Sequence, residues 1–513
     1  MNYLIDKIKK TFFLDTHEKF FKKSLKKNKK ISNIHETENI ILFNAAENYY
    51  DLCFAYLLSK EKKYHRNKIL FYIPFFSFHK KDLNNNLIFF VISFYWNNLI
   101  LYFRNFKWKR LFSTIDNNFV SFNNINILKE MSLLKEAQTN LKFIRTKKDL
   151  LNFKYKGIKV GDLIYDTYLR FKNVPTINME DTFLIEIFAK LIFSFEKLEN
   201  LNNSYKISNF FTNQLSYLHH GFPSRYFISK KIKVKYFGGK ASYLSDHKIN
   251  NYWHSYDFRK FPSIFKKLPN KRKKISLAKK LLNDKFSGKI IPQENFILDK
   301  SAYNGKRKDK FKKFIGVIFL HCFVDAPTGR GKCLFNDFYE WVDETLDFFE
   351  KNNLSNQIAI KPHPNSRDIS IDTELEFKKK YKNFIWLDKK TSNKNIFLQK
   401  PKFGLSVLGS VLPEIAYHGI FCISASTHPS MAYNFVFRPK SKKEYFEKLL
   451  NVCKSKKTLK IKSREKIFEY IYCDYLKDDN RDLIAKKMKL KEWNFTKSDA
   501  LSKFPKKIRS YDI

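Results

Sequence analysis

The chain has 513 residues, 43% hydrophobic and 17% aromatic, enough apolar side chain for two or three cores and too much for general disorder. Lysine and arginine number 98 against 50 acidic residues, a formal charge of +48 that points to an anionic partner. Only 15 of the 98 are arginine, whereas nucleic-acid readers lean on arginine's bidentate fork; an AT-rich coding bias would give the same balance, and no nucleic acid is expected.

Residues 1–30 carry ten lysines, with Leu4, Ile5, Ile8, Phe12 and Phe13 at helical spacing. Such a basic segment, taken as 1–35, either lies on anionic lipid or packs on its own domain. It contains no continuous apolar run, so no secretory signal is expected. Six cysteines, Cys53, Cys322, Cys333, Cys422, Cys453 and Cys473, are scattered with no C-x-x-C pair. Neither a zinc site nor a disulfide framework follows, which fits a reducing cytoplasm.

From residue 39, "NIILFNA" reads as a strand, "AENYYDLCFAYLLSKEK" as an amphipathic helix and "NKILFYIPFF" as a second strand. Strand–helix–strand with short joints predicts a parallel sheet. The apolar stretch 87–103 is short of the ~20 residues a membrane span needs and holds Asn97-Asn98 in its middle; it reads as buried strand and helix. Farther on, Asp162, Asp166 and Arg170 fall at i, i+4 and i+8, one helix face,. In "LHHGFPSRYF" a helix is expected to end at Gly221 and another to start at Ser224, with Arg225 free to grip an anion. These four polar residues are the candidates for holding an acceptor. The N-terminal domain is taken as 36–265, followed by a basic linker, 266–312, that opens with "KKLPNKRKKISLAKK".

A second unit, 313–455, begins at "FIGVIFLHCFVDAP". After it come a helix capped by Asn336-Asp337, the strand "QIAIKPHP", then "NFIWLD", "FGLSVL", the helix "SVLPEIAYHG", the strand "IFCISAS" and a helix from Ser441. Five strands alternating with helices make a doubly wound domain. Residues 456–513 read as a lysine-rich helical tail.

In such sheets ligands bind beyond the carboxyl ends of the strands. Those ends carry His321 and Asp325, then Lys361, His363 and Asn365, then Gly409, Ser410 and Glu414, and last Ser426 and His428. The glycine of Gly409-Ser410, in a chain with 13 glycines, suits a strand-to-helix turn whose N–H groups meet a phosphate. Glu414 would accept from ribose hydroxyls, while Lys361 and His363 would form a cationic pair stabilising a leaving phosphate. Asp325 is the expected general base, with His321 its rival. "APTGRGKC", 326–333, nearly fits the Walker pattern, but Cys333 stands where a Mg²⁺-holding hydroxyl belongs, so no P-loop is expected.

With "KPHPN" (361–365), "GSVLPEIAYHGIFCISA" (409–425), "STHPSMAYNF" (426–435), "HCFVDAP" (321–327) and "GIKVGDLIYDTYLR" (157–170), the chain resembles bacterial GT-B glycosyltransferases of capsular and surface polysaccharide synthesis. The His-Pro element before a Ser turn is similar to sialic acid and Kdo transferases and teichoic-acid glycerophosphotransferases. The resemblance implies His363 and Ser410 at the phosphate of a nucleotide donor, Glu414 at its ribose and Asp325 as base. "VDAP" lacks the paired acids before a glycine seen in cytidylate enzymes, and the turn has one serine instead of two, so the nucleotide stays open. The implied fold is α/β, GT-B-like: two Rossmann-like domains facing a cleft, with a C-terminal helical tail. The implied activity is inverting and metal-independent, with no cofactor. Its partners are a nucleotide-sugar and a glycan or lipid-linked acceptor, at the inner face of the cytoplasmic membrane. A glycerophosphotransferase, a nucleotide-sugar epimerase and, more remotely, a nucleic-acid-binding protein are the alternatives.

Overall fold

The computed structural model describes residues 13–25, 39–64, 67–74, 76, 78, 87–238, 243–247, 258–291, 301–304, 312–329, 331–364, 366, 369–455, 464–477, 483–489 and 495–509. It divides into two compact units. One comprises Met1–Tyr168, Asn178–Ser255 and Asp478–Ile513; the other comprises Leu169–Ile177 and Tyr256–Lys477.

The first unit is built on six strands: β1 (Asn39–Asn44), β2 (Lys68–Ile73), β3 (Phe119–Ser121), β4 (Lys206–Thr212), β5 (Lys233–Gly238) and β6 (Tyr243–His247). Their order is β3-β2-β1-β4-β5-β6, parallel except for the last pair. β1 and β2 are apolar runs buried on both faces, as strands covered on both sides must be. The helix Tyr49–Lys60 between them starts where the Asn48 side chain accepts from the Tyr50 amide, 2.8 Å,.

The second unit holds β7 (Gly316–Phe319), β8 (Ile358–Lys361), β9 (Ile385–Trp386), β10 (Phe403–Ser406) and β11 (Phe421–Ser424). The order is β9-β8-β7-β10-β11, all parallel. Both sheets are therefore Rossmann-like, reversing direction beside their first strand. These are the five C-terminal strands read from the sequence. The helices Phe338–Lys351 and Lys442–Lys454 begin at the expected caps, Asp337 and Ser441. Gly404 lets a helix approach β10 closely: a Cβ there would lie 2.8 Å from Ile415.

Several expectations need correction. The stretch 87–103 is neither strand nor buried; it belongs to one helix, Leu87–Phe112, with Phe89 70% and Trp96 62% exposed. Gly221 and Ser224 lie inside a single helix, Leu218–Ser229, which continues past Pro223. The basic stretch after 265 is packed structure: Phe265, Ala278 and Leu282 of its helices join the second unit's core. Leu483, Ile484, Leu501 and Phe504 pack into the first unit's core, whereas Ile467 and Tyr470 pack into the second's, so 456–513 is not one tail. Near the N-terminus, Phe21 and Leu25 of the helix Thr16–Leu25 are buried in the first unit's core and Phe13 is exposed, while Leu4, Ile5, Ile8 and Phe12 lie outside the described residues.

Candidate functional site

The register of the second sheet sets three strand ends level. Phe319, last in β7, lies opposite Lys361 of β8 on one side and Ser406 of β10 on the other. The Leu320 amide donates to the Lys361 carbonyl (3.0 Å) and Ser406 Oγ to the Phe319 carbonyl (3.1 Å). Beyond these bonds the chains part, because Pro362 and Pro364 have no N–H with which to continue the ladder. A cleft of about 650 Å³, open solvent included, occupies the gap, at the switch point where open α/β sheets take ligands.

His321, Lys361, His363, Gly409, Ser410 and Glu414 all line this cleft. The structure thus gathers six sequence candidates around one hollow. Two residues that the sequence reading passed over complete it. Lys285, on the buried side of the helix Lys271–Phe286, places Nζ 2.5 Å from Glu414 Oε1 and also lines the cleft. Tyr303 donates its hydroxyl to Glu414 Oε2 at 2.7 Å. The signal for Lys285 was present as a helical stripe, Ala278, Leu282, Lys285, inside a run that its charge made look like linker.

Three lysines and one carboxylate line the cleft, counting Lys289, so its charge favours an anion. The cationic pair at the β8 end is only half correct. Lys361 Nζ donates to the carbonyls of Lys389 (2.7 Å) and Pro362 (3.2 Å), which satisfies a buried ammonium. His363 is held down to about 3, first by burial and then by the neighbouring His321 and Lys361 charges; near neutrality it is uncharged and acts as a hydrogen-bonding imidazole. Its ring centroid lies 5.9 Å from that of His321. Glu374 supports the loop from below, taking a hydrogen bond from Ser366 Oγ and one from the His363 backbone. Burial lifts this carboxyl to about 7.

Asp325 does not line the cleft. Its carboxylate is 51% exposed, with Oδ2 4.0 Å from His321 Nδ1 and Oδ1 accepting from the Ala326 amide at 2.9 Å. Of the two rivals for base, the imidazole faces the hollow and the carboxylate stands behind it. The turn at Gly409-Ser410 enters a helix of six residues, Leu412–Tyr417, too short for the expected helix-end field.

Ser426 and His428 do not line the cleft. Ser426 is buried with Oγ toward the Lys332 carbonyl, 3.5 Å. His428 Nδ1 accepts from the Ser430 amide at 3.2 Å and lies 2.7 Å from Ser430 Oγ, capping a short turn. The same Lys332 carbonyl accepts from the Thr427 amide at 3.1 Å, so the Walker-like loop is stitched to the chain after β11. Asn365 lies outside the described residues.

Of the acceptor candidates, Asp162 and Arg225 bind each other inside the first unit, 2.6 and 2.8 Å across both oxygens. Arg225 is buried against this carboxylate and also donates to the Lys159 carbonyl, 2.7 Å, so it is not the open anion grip expected. Asp166 is buried and Arg170 exposed on the helix Gly161–Lys172. Among the described residues no three His, Cys, Asp or Glu side chains gather as metal ligands.

No protein-family model matches the chain, and no curated protein matches it in sequence. Among solved structures, Methanocaldococcus jannaschii UDP-GlcNAc 2-epimerase in complex with UDP-GlcNAc and UDP is 11% identical, the match covering 84% of this chain and 98% of that one at a TM-score of 0.21. Medicago truncatula UGT71G1 complexed with UDP-glucose is 10% identical over 92% of this chain and 99% of that one, also at 0.21. Values so low assign the chain neither a family nor an activity.

Proposed function

We propose that the second unit binds a nucleotide-activated sugar and that the chain is a GT-B-type glycosyltransferase, delivering the sugar to a surface glycan or a lipid-linked acceptor. One observation carries this reading: a cationic hollow at the switch point of a Rossmann-like sheet, lined by two imidazoles and by a carboxylate held between a lysine and a tyrosine. Neutral His363 donates to the leaving phosphate, with the Gly409-Ser410 turn beside it. Glu414, oriented by Lys285 and Tyr303, accepts from ribose hydroxyls. The acceptor oxygen attacks the anomeric carbon, and its proton passes to His321. The bond to the nucleotide phosphate breaks with its electron pair on the phosphate, so the configuration inverts. Asp325 faces the imidazolium that this step forms. The leaving charge is met by the imidazole and the cleft's lysines, so on this reading no metal is required.

Incubation with UDP-, CDP- and CMP-linked donors, following nucleotide release with and without added glycan acceptors, tests the proposal. Acceptor-dependent release that is lost in His363→Ala and His321→Ala supports it. Conversion of the donor sugar to its epimer with no acceptor present moves the site to the epimerase reading. Binding of none of the nucleotides by folded protein ends both.

A further inference from the structure

The helix Leu87–Phe112 is apolar on two faces, and the protein covers one of them. Phe94, Leu101, Asn105, Leu111 and Phe112 are its buried residues, fixed at the C-terminal end by the Phe112 ring 4.9 Å from Phe71 and by Trp108 5.0 Å from Tyr49. The opposite arc, including Phe89, Ile92, Trp96, Leu99, Ile100 and Tyr102, is exposed. Helices apolar on all sides belong in a core or in lipid, and water-facing surfaces rarely keep contiguous patches of this kind.

We propose that this outer face docks the first unit on an anionic lipid bilayer, with the helix lying in the plane of the interface. The charges are placed for it. Residues 87–112 contain no Asp or Glu, and their four basic residues, Arg104, Lys107, Lys109 and Arg110, all fall in the last nine positions. Arg110 also lies over the Phe106 ring, 5.5 Å away. Arg104 and Lys107 pair with Glu47 and Glu18 at 2.8 and 2.5 Å, so Lys109 and Arg110 are the cations for headgroup phosphates while the aromatic arc enters the boundary beneath them. The two asparagines in the stretch do not oppose burial, because the helix satisfies them itself: Asn97 Nδ2 donates to Ser93 Oγ (3.2 Å) and Asn98 Nδ2 to the Phe94 carbonyl (3.0 Å).

Although the helix is long and apolar enough to cross a membrane, its C-terminal end is fixed in the first unit's core by Leu111 and Phe112, which leaves 87–103 as the part that can meet lipid. The uncharged part, 87–103, rises only about 25 Å, less than the ~30 Å hydrocarbon thickness. A second copy of the chain is the other occupant to consider. Flanking charges commonly set partner choice and orientation between paired helices, and 87–103 offers none.

Flotation of the full chain with phosphatidylcholine vesicles, with and without phosphatidylglycerol, tests this without any sugar donor, so its result is independent of the proposed activity. The wild type is expected to float with the anionic vesicles, and Ile92→Glu/Trp96→Glu to float about tenfold less or worse. Phe143→Glu, at an exposed phenylalanine outside this helix, is expected to float as wild type. Trp96 emission should shift to the blue on vesicle addition. Equal flotation of the wild type and the double variant overturns the proposal, as does no flotation at all. So does a lipid-free dimer that the same two substitutions dissolve.

Discussion

Lys285 Nζ stands 2.5 Å from Glu414 Oε1, and both side chains are buried. The two lie 129 positions apart in the chain, 414 minus 285. Removing one partner leaves an uncompensated buried charge, so Lys285→Met and Glu414→Gln should each cost roughly 3–5 kcal/mol of stability, and the double change less than their sum. If the pair also shapes a ribose site, Glu414→Gln should weaken nucleotide binding about tenfold or more, the loss of one charge-assisted hydrogen bond. Urea unfolding and nucleotide titration read the two effects separately. Lost stability with unchanged nucleotide affinity would make the pair structural only.

His363, in the loop after β8, and Glu374, on the helix Ile369–Lys380 that supports it, should give pH dependences of opposite sign. The His363 ring is at about 3 in the fold against an ordinary 6.5. Below pH 6.5 the unfolded chain takes a proton that the folded chain refuses, so stability falls as the pH drops and levels off below about 3. Replacing the ring in His363→Gln should recover roughly 2 kcal/mol of that acid loss at about pH 5. Glu374 is at about 7 against an ordinary 4.5. Here the folded state keeps a proton that the unfolded one releases, so the contribution is complete below 4.5 and lost as the pH rises to 7. Glu374→Gln should therefore stabilise by up to about 3 kcal/mol at about pH 8 and do little at about pH 4. Melting temperatures across this range decide, and parallel curves for wild type and variants would contradict both assignments.

What the sequence disclosed follows from how locally each feature is determined. The strands of the second sheet were readable because they are short apolar runs closed by Pro, Gly or a capping Asp or Ser. Once they are parallel and in register, their polar ends must meet, which brings His321, Lys361, His363 and Ser410 to one rim. Lys285 and Tyr303 were hidden because their importance comes from a partner more than 100 positions away. Ser426 and His428 share the look of the true rim residues, yet the chain after β11 turns back on the Walker-like loop and uses them as internal hydrogen-bond partners. For 87–103 composition was misleading, since an apolar run reads as buried whether its cover is protein or something else.

The Asp162–Arg225 pair gives the last prediction, and it concerns the first unit alone. The guanidinium fork spans both carboxylate oxygens and also reaches the Lys159 carbonyl, with side chains 1% and 4% exposed. Such geometry is specific to arginine, and lysine cannot reproduce the fork. Asp162→Asn strands a buried guanidinium and should cost about 3–5 kcal/mol; Arg225→Lys keeps the charge but loses the bidentate contact and should cost less than half of that. Because neither residue lines the cleft of the second unit, nucleotide affinity of the folded fraction should match wild type in both. Denaturant unfolding and nucleotide titration on the same preparations measure this. Unchanged stability in Asp162→Asn, combined with lost transfer to an acceptor, would return the pair to the substrate-holding role that its buried, mutual ion pair now argues against.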